Sequence, residues 1–196
     1  FQNDSDLKLI SSLANLPDSQ SVLIPGSGVQ LDHYLFTEIP DTYPIVLFPA
    51  RLLLSKGILE FIEAASSLRG LARFVIAGNL DIDNPECIRK DLLDSFVNEQ
   101  IVEYWGFSTN ISLTIQQSNI VVLPSYREGF PKILMEAAAC GRPSVTTNVP
   151  GCRDVVINGE TGFIVPPRNS ESLASAIKTL LSDLNLQRRM GFSARQ

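Results

Sequence analysis

Seven short apolar runs, continuous rather than alternating, recur along the chain at 21–24, 45–48, 73–77, 101–104, 120–123, 144–146 and 162–165. A strand with one face in water alternates polar and apolar residues, so unbroken apolarity marks strands covered on both faces. Helical patterns fall between them, at 57–69, 85–98, 109–118, 131–140, 151–157 and 170–182. Strand and helix in repeated alternation predict an α/β fold, a doubly wound, Rossmann-like parallel sheet with helices on both faces. In such a sheet the ligand lies in a crevice outside the carboxyl ends of the strands, so the functional residues are expected just after strands.

With 196 residues, 44% of them hydrophobic, the chain can bury a full core. Residues 1–20 are polar and weakly patterned and read as a lead-in segment or linker, 21–185 as the sheet domain, and 186–196 as a terminal helix cut short. The start, Phe1-Gln2-Asn3-Asp4, lacks the blocks of a signal peptide, and the end, Ser193-Ala194-Arg195-Gln196, is abrupt. The chain is therefore expected to be a piece of something longer. No apolar run approaches the roughly 18 to 20 residues of a membrane span.

Net charge and cysteine usage narrow the partners. At −5, with a pI near 4.9 and no Lys/Arg cluster, non-specific nucleic-acid binding is excluded, and an anionic ligand must be held by a few placed groups. Cys87, Cys140 and Cys152 are odd in number and too far apart for a CxxC pattern, which fits free thiols in a reducing, cytoplasmic compartment. His33 is the only histidine, which rules out His-rich metal sites and two-histidine acid–base schemes and leaves it as a surface or packing residue.

The most informative stretch runs from Leu123 to Pro143. Pro131 at a first helical position and Gly141 just past the end bound a helix of about ten residues. Glu128 then lies in the loop before it, and Glu136 sits roughly 7 to 8 Å along its axis. Between the two carboxylates lie the free N–H groups and partial positive charge of the helix N-terminus, a site for phosphate. Two acceptors flanking an anion hole suit a ligand with hydroxyls at both ends and phosphates between them, which describes a nucleotide sugar. The alternative is a solvated Glu136 paired with Lys132 four residues earlier, beside an ordinary loop charge at Glu128. A second pair, Arg51 and Lys56, sits in a loop leaving one strand and entering a helix, where two cations can reach one diphosphate from two sides.

Glu128-Gly129-Phe130-Pro131 through Glu136-Ala137, continued by Gly141-Arg142-Pro143-Ser144-Val145, Pro150-Gly151 and 158–165 (NGETGFIV), resembles the C-terminal domain of glycosyltransferase family 4, retaining enzymes of the GT-B fold. The likeness runs from about Ser21 to the end. It implies that Glu128 takes donor-sugar hydroxyls and Glu136 the ribose hydroxyls. Main-chain N–H groups of Gly129, Phe130, Lys132 and Ile133 would contact sugar and phosphate, and Arg51 and Lys56 would hold the diphosphate. Phe107 and Ser108, in the turn after the fourth run, would hold the base, unless Trp105 and Phe107 are core. Ala50 departs from the glycine that the family often has before the arginine.

The resemblance further implies a UDP-sugar as first choice of NDP-sugar donor and no metal or cofactor requirement. Retaining transfer would go to a glycan or lipid-linked acceptor held by an N-terminal domain that this chain lacks. The setting would be surface-polysaccharide or lipid-linked glycan assembly, with peripheral association at the cytoplasmic face of the inner membrane open. Without that domain, donor binding without transfer is expected. A sugar-nucleotide epimerase of similar fold and a non-catalytic interaction module are the alternatives. Asp81-Ile82-Asp83 has the spacing of a metal motif, but Asn84-Pro85 after it favours a helix N-cap. Gly26-Ser27-Gly28 lacks the third glycine of a dinucleotide fingerprint and reads as a turn.

Overall fold

The computed structural model describes residues 1–196, apart from the side chain of Asp18. Strands β1 (Ile45–Phe48), β2 (Arg73–Ala77), β3 (Glu103–Gly106), β4 (Ile120–Leu123), β5 (Ser144–Thr147) and β6 (Gly162–Val165) form one sheet in the order β3-β2-β1-β4-β5-β6. Every pairing is parallel. The helices are α1 (Asp4–Ala14), α2 (Ile58–Ser67), α3 (Lys90–Asn98), α4 (Ile111–Gln116), α5 (Lys132–Ala139), α6 (Cys152–Val155), α7 (Ser170–Leu181) and α8 (Leu184–Arg195).

Winding starts at β1 and proceeds outward through β2 and β3, then returns to the other side of β1 for β4, β5 and β6. The order therefore reverses between β1 and β4, and the loops leaving those two strands diverge over a crevice. The central strands β1 and β4 are buried at every position, as their unbroken apolarity requires. Alternate side chains enter two cores. Val46, Phe48, Phe61, Phe74, Ile120, Leu173, Ile177 and Met190 fill one face beneath α2, α7 and α8, whereas Leu47, Val75, Ile115, Val121, Leu134 and Ala137 fill the other beneath α4 and α5.

The structure corrects several boundaries. Residues 21–24 are not a strand: Val22 and Ile24 are exposed, and the segment instead exchanges bonds with the N-terminus, Phe1 N–H to Val22 C=O at 2.9 Å and Ile24 N–H to Phe1 C=O at 2.8 Å. The run at 101–104 is shifted, because Val102 dips into the core ahead of the edge strand β3, leaving Tyr104 and Trp105 outside. The helix expected at 85–98 begins at Lys90. The backbone before it is occupied by bonds to the loop after β1, Leu54 N–H to Glu86 C=O at 2.7 Å and Ile88 N–H to Leu52 C=O at 2.9 Å. Asp81-Ile82-Asp83 therefore caps no helix; Asn84 Oδ1 instead accepts from the Glu86 N–H within a turn. The segment 1–20 carries α1, N-capped by the Asn3 side chain and headed by Asp4 and Asp6, signals of a helix start that its polarity masks.

Arg142 is fully buried, and its guanidinium faces carbonyls instead of a carboxylate. Nη1 donates to Thr37 C=O (2.7 Å) and Cys140 C=O (3.0 Å), and Nη2 to Thr37 Oγ1 (2.6 Å), Gln116 C=O (2.8 Å) and Glu38 C=O (3.2 Å). Burial lowers its pKa to about 10, so it stays protonated at neutral pH. It fastens the segment before β1 to α4 and to the end of α5. Arg142→Met keeps the apolar stem but leaves several buried carbonyls without donors, so it should destabilise the chain by about 3 kcal/mol or more. Urea unfolding followed by circular dichroism checks this, and an unchanged midpoint would remove the clasp from the account.

Candidate functional site

Backbone contacts set the crevice. Gly57, at φ +75°, ends the loop after β1, and a Cβ there would lie 2.1 Å from the carbonyl oxygen of Pro124 in the loop after β4. Next to it, the Tyr126 N–H donates to Ser55 C=O at 2.9 Å. On the other side a Cβ on Gly78, just past β2, would lie 1.8 Å from Ala50 C=O. Loops after β1, β2 and β4 are thus packed main chain against main chain, and the side chains they carry inherit that rigidity.

Lys56 and Glu128, read from sequence as ligands of different parts of one molecule, are joined directly. Lys56 Nζ lies 2.6 Å from Glu128 Oε1, which also accepts from Ser125 Oγ at 2.7 Å, and the Glu128 side chain is only 12% exposed. Glu136, 8% exposed at its side chain, accepts from Tyr34 Oη at 2.7 Å, again on Oε1, with Lys132 Nζ 3.6 Å from that atom. The solvated Lys132 pairing is therefore real but is not the whole environment, since the carboxylate is buried. In both glutamates Oε1 is fastened, while Oε2 accepts no hydrogen bond from the described residues. Burial and the neighbouring Glu136 carboxylate push the Tyr34 phenol well above its ordinary range, so it remains a donor.

Between these carboxylates α5 starts at Lys132, with Pro131 as its N-cap rather than its first helical residue. Pro131 is extended at ψ 107° and its ring offers no acceptor, so no side chain caps the helix at its Lys132 and Ile133 N–H groups. The helix is eight residues long, shorter than expected, because Cys140 and then Gly141, at φ +76°, end it.

Arg51, Phe107, Ser108 and Ile133 line one cavity of about 400 Å³, together with Ala50, Gly78 and Asn79. Phe107 is 67% exposed and Trp105 lies on the outer edge of the sheet, so neither is core. Arg51 leans on Asp81 at 3.7 Å, an exposed contact that an anion could replace. Glu136 and Lys56 are not among the residues lining that cavity. His33 is exposed, and all three cysteines are free thiols, with burial raising Cys152 to about 11.

Sequence reasoning missed several contributors. Asn3, 3% exposed, donates from Nδ2 to Gly129 C=O at 2.8 Å, while Gln2 packs over Gly129. Gly26 packs against the Phe130 ring; the turn expected at 26–28 is instead irregular backbone, with Gly26 and Gly28 at positive φ, and it braces the site from outside. Tyr34 carried no signal, but Gly78-Asn79, which line the cavity with Arg51, could have been found by the rule that placed the other candidates just after strands.

A six-stranded parallel sheet in this order, with its crevice at the β1/β4 reversal, is a Rossmann-like domain of the kind found in GT-B glycosyltransferases. The sequence pattern of the family described as glycosyl transferases group 1 matches residues 36–196, and the chain belongs to that family. It is 32% identical to the Campylobacter jejuni N,N'-diacetylbacillosaminyl-diphospho-undecaprenol alpha-1,3-N-acetylgalactosaminyltransferase, a match covering 100% of this chain and 54% of that protein. It is also 32% identical to the Staphylococcus aureus capsular polysaccharide biosynthesis glycosyltransferase CapM, across 96% of this chain and 53% of the relative. The chain thus spans about half the length of these relatives. Among solved structures, a Rickettsia africae glycosyltransferase superposes with a TM-score of 0.84 at 24% identity, covering 99% of this chain and 56% of that one. Anabaena HepE in complex with UDP also gives a TM-score of 0.84, at 20% identity over 98% of this chain and 56% of HepE.

Gly151 backs onto the loop that carries Glu128: at φ +81°, its Cβ would lie 2.5 Å from Gly129 C=O and 2.7 Å from Glu128 C=O. Gly151→Ala should therefore destabilise the chain by about 1–3 kcal/mol through backbone strain and displace that loop. Hydrogen exchange at 128–133 should speed up in the variant; wild-type protection there would show that the contact yields without moving the loop.

Proposed function

We propose that this chain is the donor-binding half of a retaining glycosyltransferase of family 4, and that it binds an NDP-sugar with UDP as the favoured nucleotide. One observation carries the reading. Two glutamates, Glu136 buried and Glu128 half-buried, each with one oxygen fastened and one open, stand on either side of an uncapped helix N-terminus. Hydroxyl, phosphate, hydroxyl is the complementary order of groups, with Glu136 at the ribose, the Lys132 and Ile133 N–H groups at the diphosphate, and Glu128 at the sugar. The cavity beside Arg51, Phe107 and Ser108 takes the base and the adjoining phosphate.

Transfer breaks the bond between the anomeric carbon and the diphosphate oxygen, so negative charge develops on the leaving group. Arg51, Lys56 and the helix N-terminus supply positive potential there, and catalysis rests on this and on positioning. Lys56 already sits against Glu128, so the same ion pair would couple sugar recognition to departure of the diphosphate. The proposed reaction calls for no metal or cofactor. The acceptor, held outside these residues by an N-terminal domain of the complete protein, is a glycan or lipid-linked intermediate of surface-polysaccharide assembly at the cytoplasmic side of a membrane. Support comes from the names of the two relatives, one acting on an undecaprenol diphosphate and one in capsule biosynthesis. The HepE complexes with UDP and UDP-glucose support the donor.

Calorimetry with UDP, UDP-sugars and GDP-sugars tests the assignment. Glu136→Ala should weaken UDP binding by about tenfold or more, the value of a lost charge-assisted hydrogen bond. Glu128→Ala should leave UDP affinity close to wild type and abolish the preference for UDP-sugar over UDP. Wild type that binds none of these ligands, or equal losses of UDP affinity in both variants, would reject the polarity assigned to the two glutamates.

A further inference from the structure

Tyr34 lies outside every motif that led to the site, in a segment without regular secondary structure, yet its phenol touches Glu136 at hydrogen-bond distance, 2.7 Å. Its main chain is fastened as well. Arg195 Nη1, from the last turn of α8, donates to Tyr34 C=O at 2.8 Å and to Ala139 C=O, at the end of the helix that carries Glu136, at 2.7 Å. Three residues on, the buried Arg142 clasps Thr37 through both its carbonyl and its hydroxyl. One arginine thus bridges Tyr34 to α5, and a second fixes the segment behind it.

We propose that Tyr34 is a positioning residue for nucleotide recognition: its hydroxyl holds Glu136 Oε1 so that Oε2 is presented to the ribose hydroxyls of a nucleoside diphosphate. The proposal rests on the ribose role given to Glu136 above. A free glutamate side chain on a helix samples several rotamers, and the ligand would have to select one; a phenol on a fastened segment makes that selection in advance. Lys132 cannot do the same, since its amine is 3.6 Å away on a side chain that is 59% exposed. The phenol serves only as a donor to the carboxylate and transfers no proton.

The test compares UDP with 2′,3′-dideoxy-UDP, which lacks the hydroxyls concerned, by calorimetry on the 196-residue chain. Wild type, Tyr34→Phe, Glu136→Ala and the double variant are measured, with GDP and ADP and their dideoxy forms in parallel. Tyr34→Phe keeps the ring and removes only the hydroxyl. It should weaken UDP by about 3- to 10-fold, leave the dideoxy ligand within a factor of about two, and have no further effect when Glu136 is already alanine. Equal weakening of both ligands would make Tyr34 a structural residue only and overturn the proposal. Tighter UDP binding in Tyr34→Phe would make the phenol a competitor of the ribose, which also overturns it. If Glu136→Ala loses the preference for UDP while Tyr34→Phe keeps all of it, the Tyr34 role fails and the Glu136 role stands. A wild-type chain indifferent to the ribose hydroxyls, or unable to bind any of the diphosphates, would overturn both.

Discussion

Main-chain contact between the loops leaving β1 and β4 is the constraint on which the site depends. A parallel sheet places every strand's carboxyl end on one side, and winding outward from β1 in both directions opens a gap where the order reverses. An open gap alone would leave two mobile loops. Here Gly57 lies so close to Pro124 that no side chain fits, and a hydrogen bond from Tyr126 to Ser55 closes the second point of contact. The two loops therefore behave as one surface, and the ion pair between Lys56 and Glu128 spans it with both partners mostly buried.

The electrostatics follow from that rigidity. A chain with net charge −5 has no general attraction for anions, so any affinity for an anion has to be local. The uncapped N–H groups at the start of α5 and two cations in the loop after β1 are the local positive groups beside the crevice, while the glutamates nearby are partly satisfied by Lys56, Ser125 and Tyr34. Buried carboxylates left wholly unpaired would be costly; fastening one oxygen of each meets part of that cost and keeps the other available.

Much of this was legible in the sequence, for reasons that differ by element. The central strands declared themselves because burial on both faces demands continuous apolarity, and α5 because proline and glycine bracket it. Residues 21–24 have the same local composition as a strand but are exposed: apolarity shows that a segment can be buried, not that the sheet has a free edge where it would pair. The turn at 84–88 was mistaken for the start of a helix because Leu52–Leu54, more than thirty positions away, takes up its backbone hydrogen bonds. In the site, the residues following strands were found by rule. Asn3 and Tyr34 were not, because each acts across about a hundred residues or more of chain on a group whose own motif is complete without it.

The clasp formed by Arg142 bears on where this domain can be cut. The sheet begins at Ile45, and a boundary drawn there leaves every strand, and every helix from α2 onward, intact. It would also strip the carbonyls of Thr37 and Glu38 from a buried guanidinium, leaving it the carbonyls of Cys140, Gly141 and Gln116, and separate Arg195 from the main chain of Tyr34. The cooperative unit is thus wider than its secondary structure, extending at one end to the irregular stretch around Tyr34 and at the other to the last turn of α8, so that segments remote in sequence are obliged to fold together.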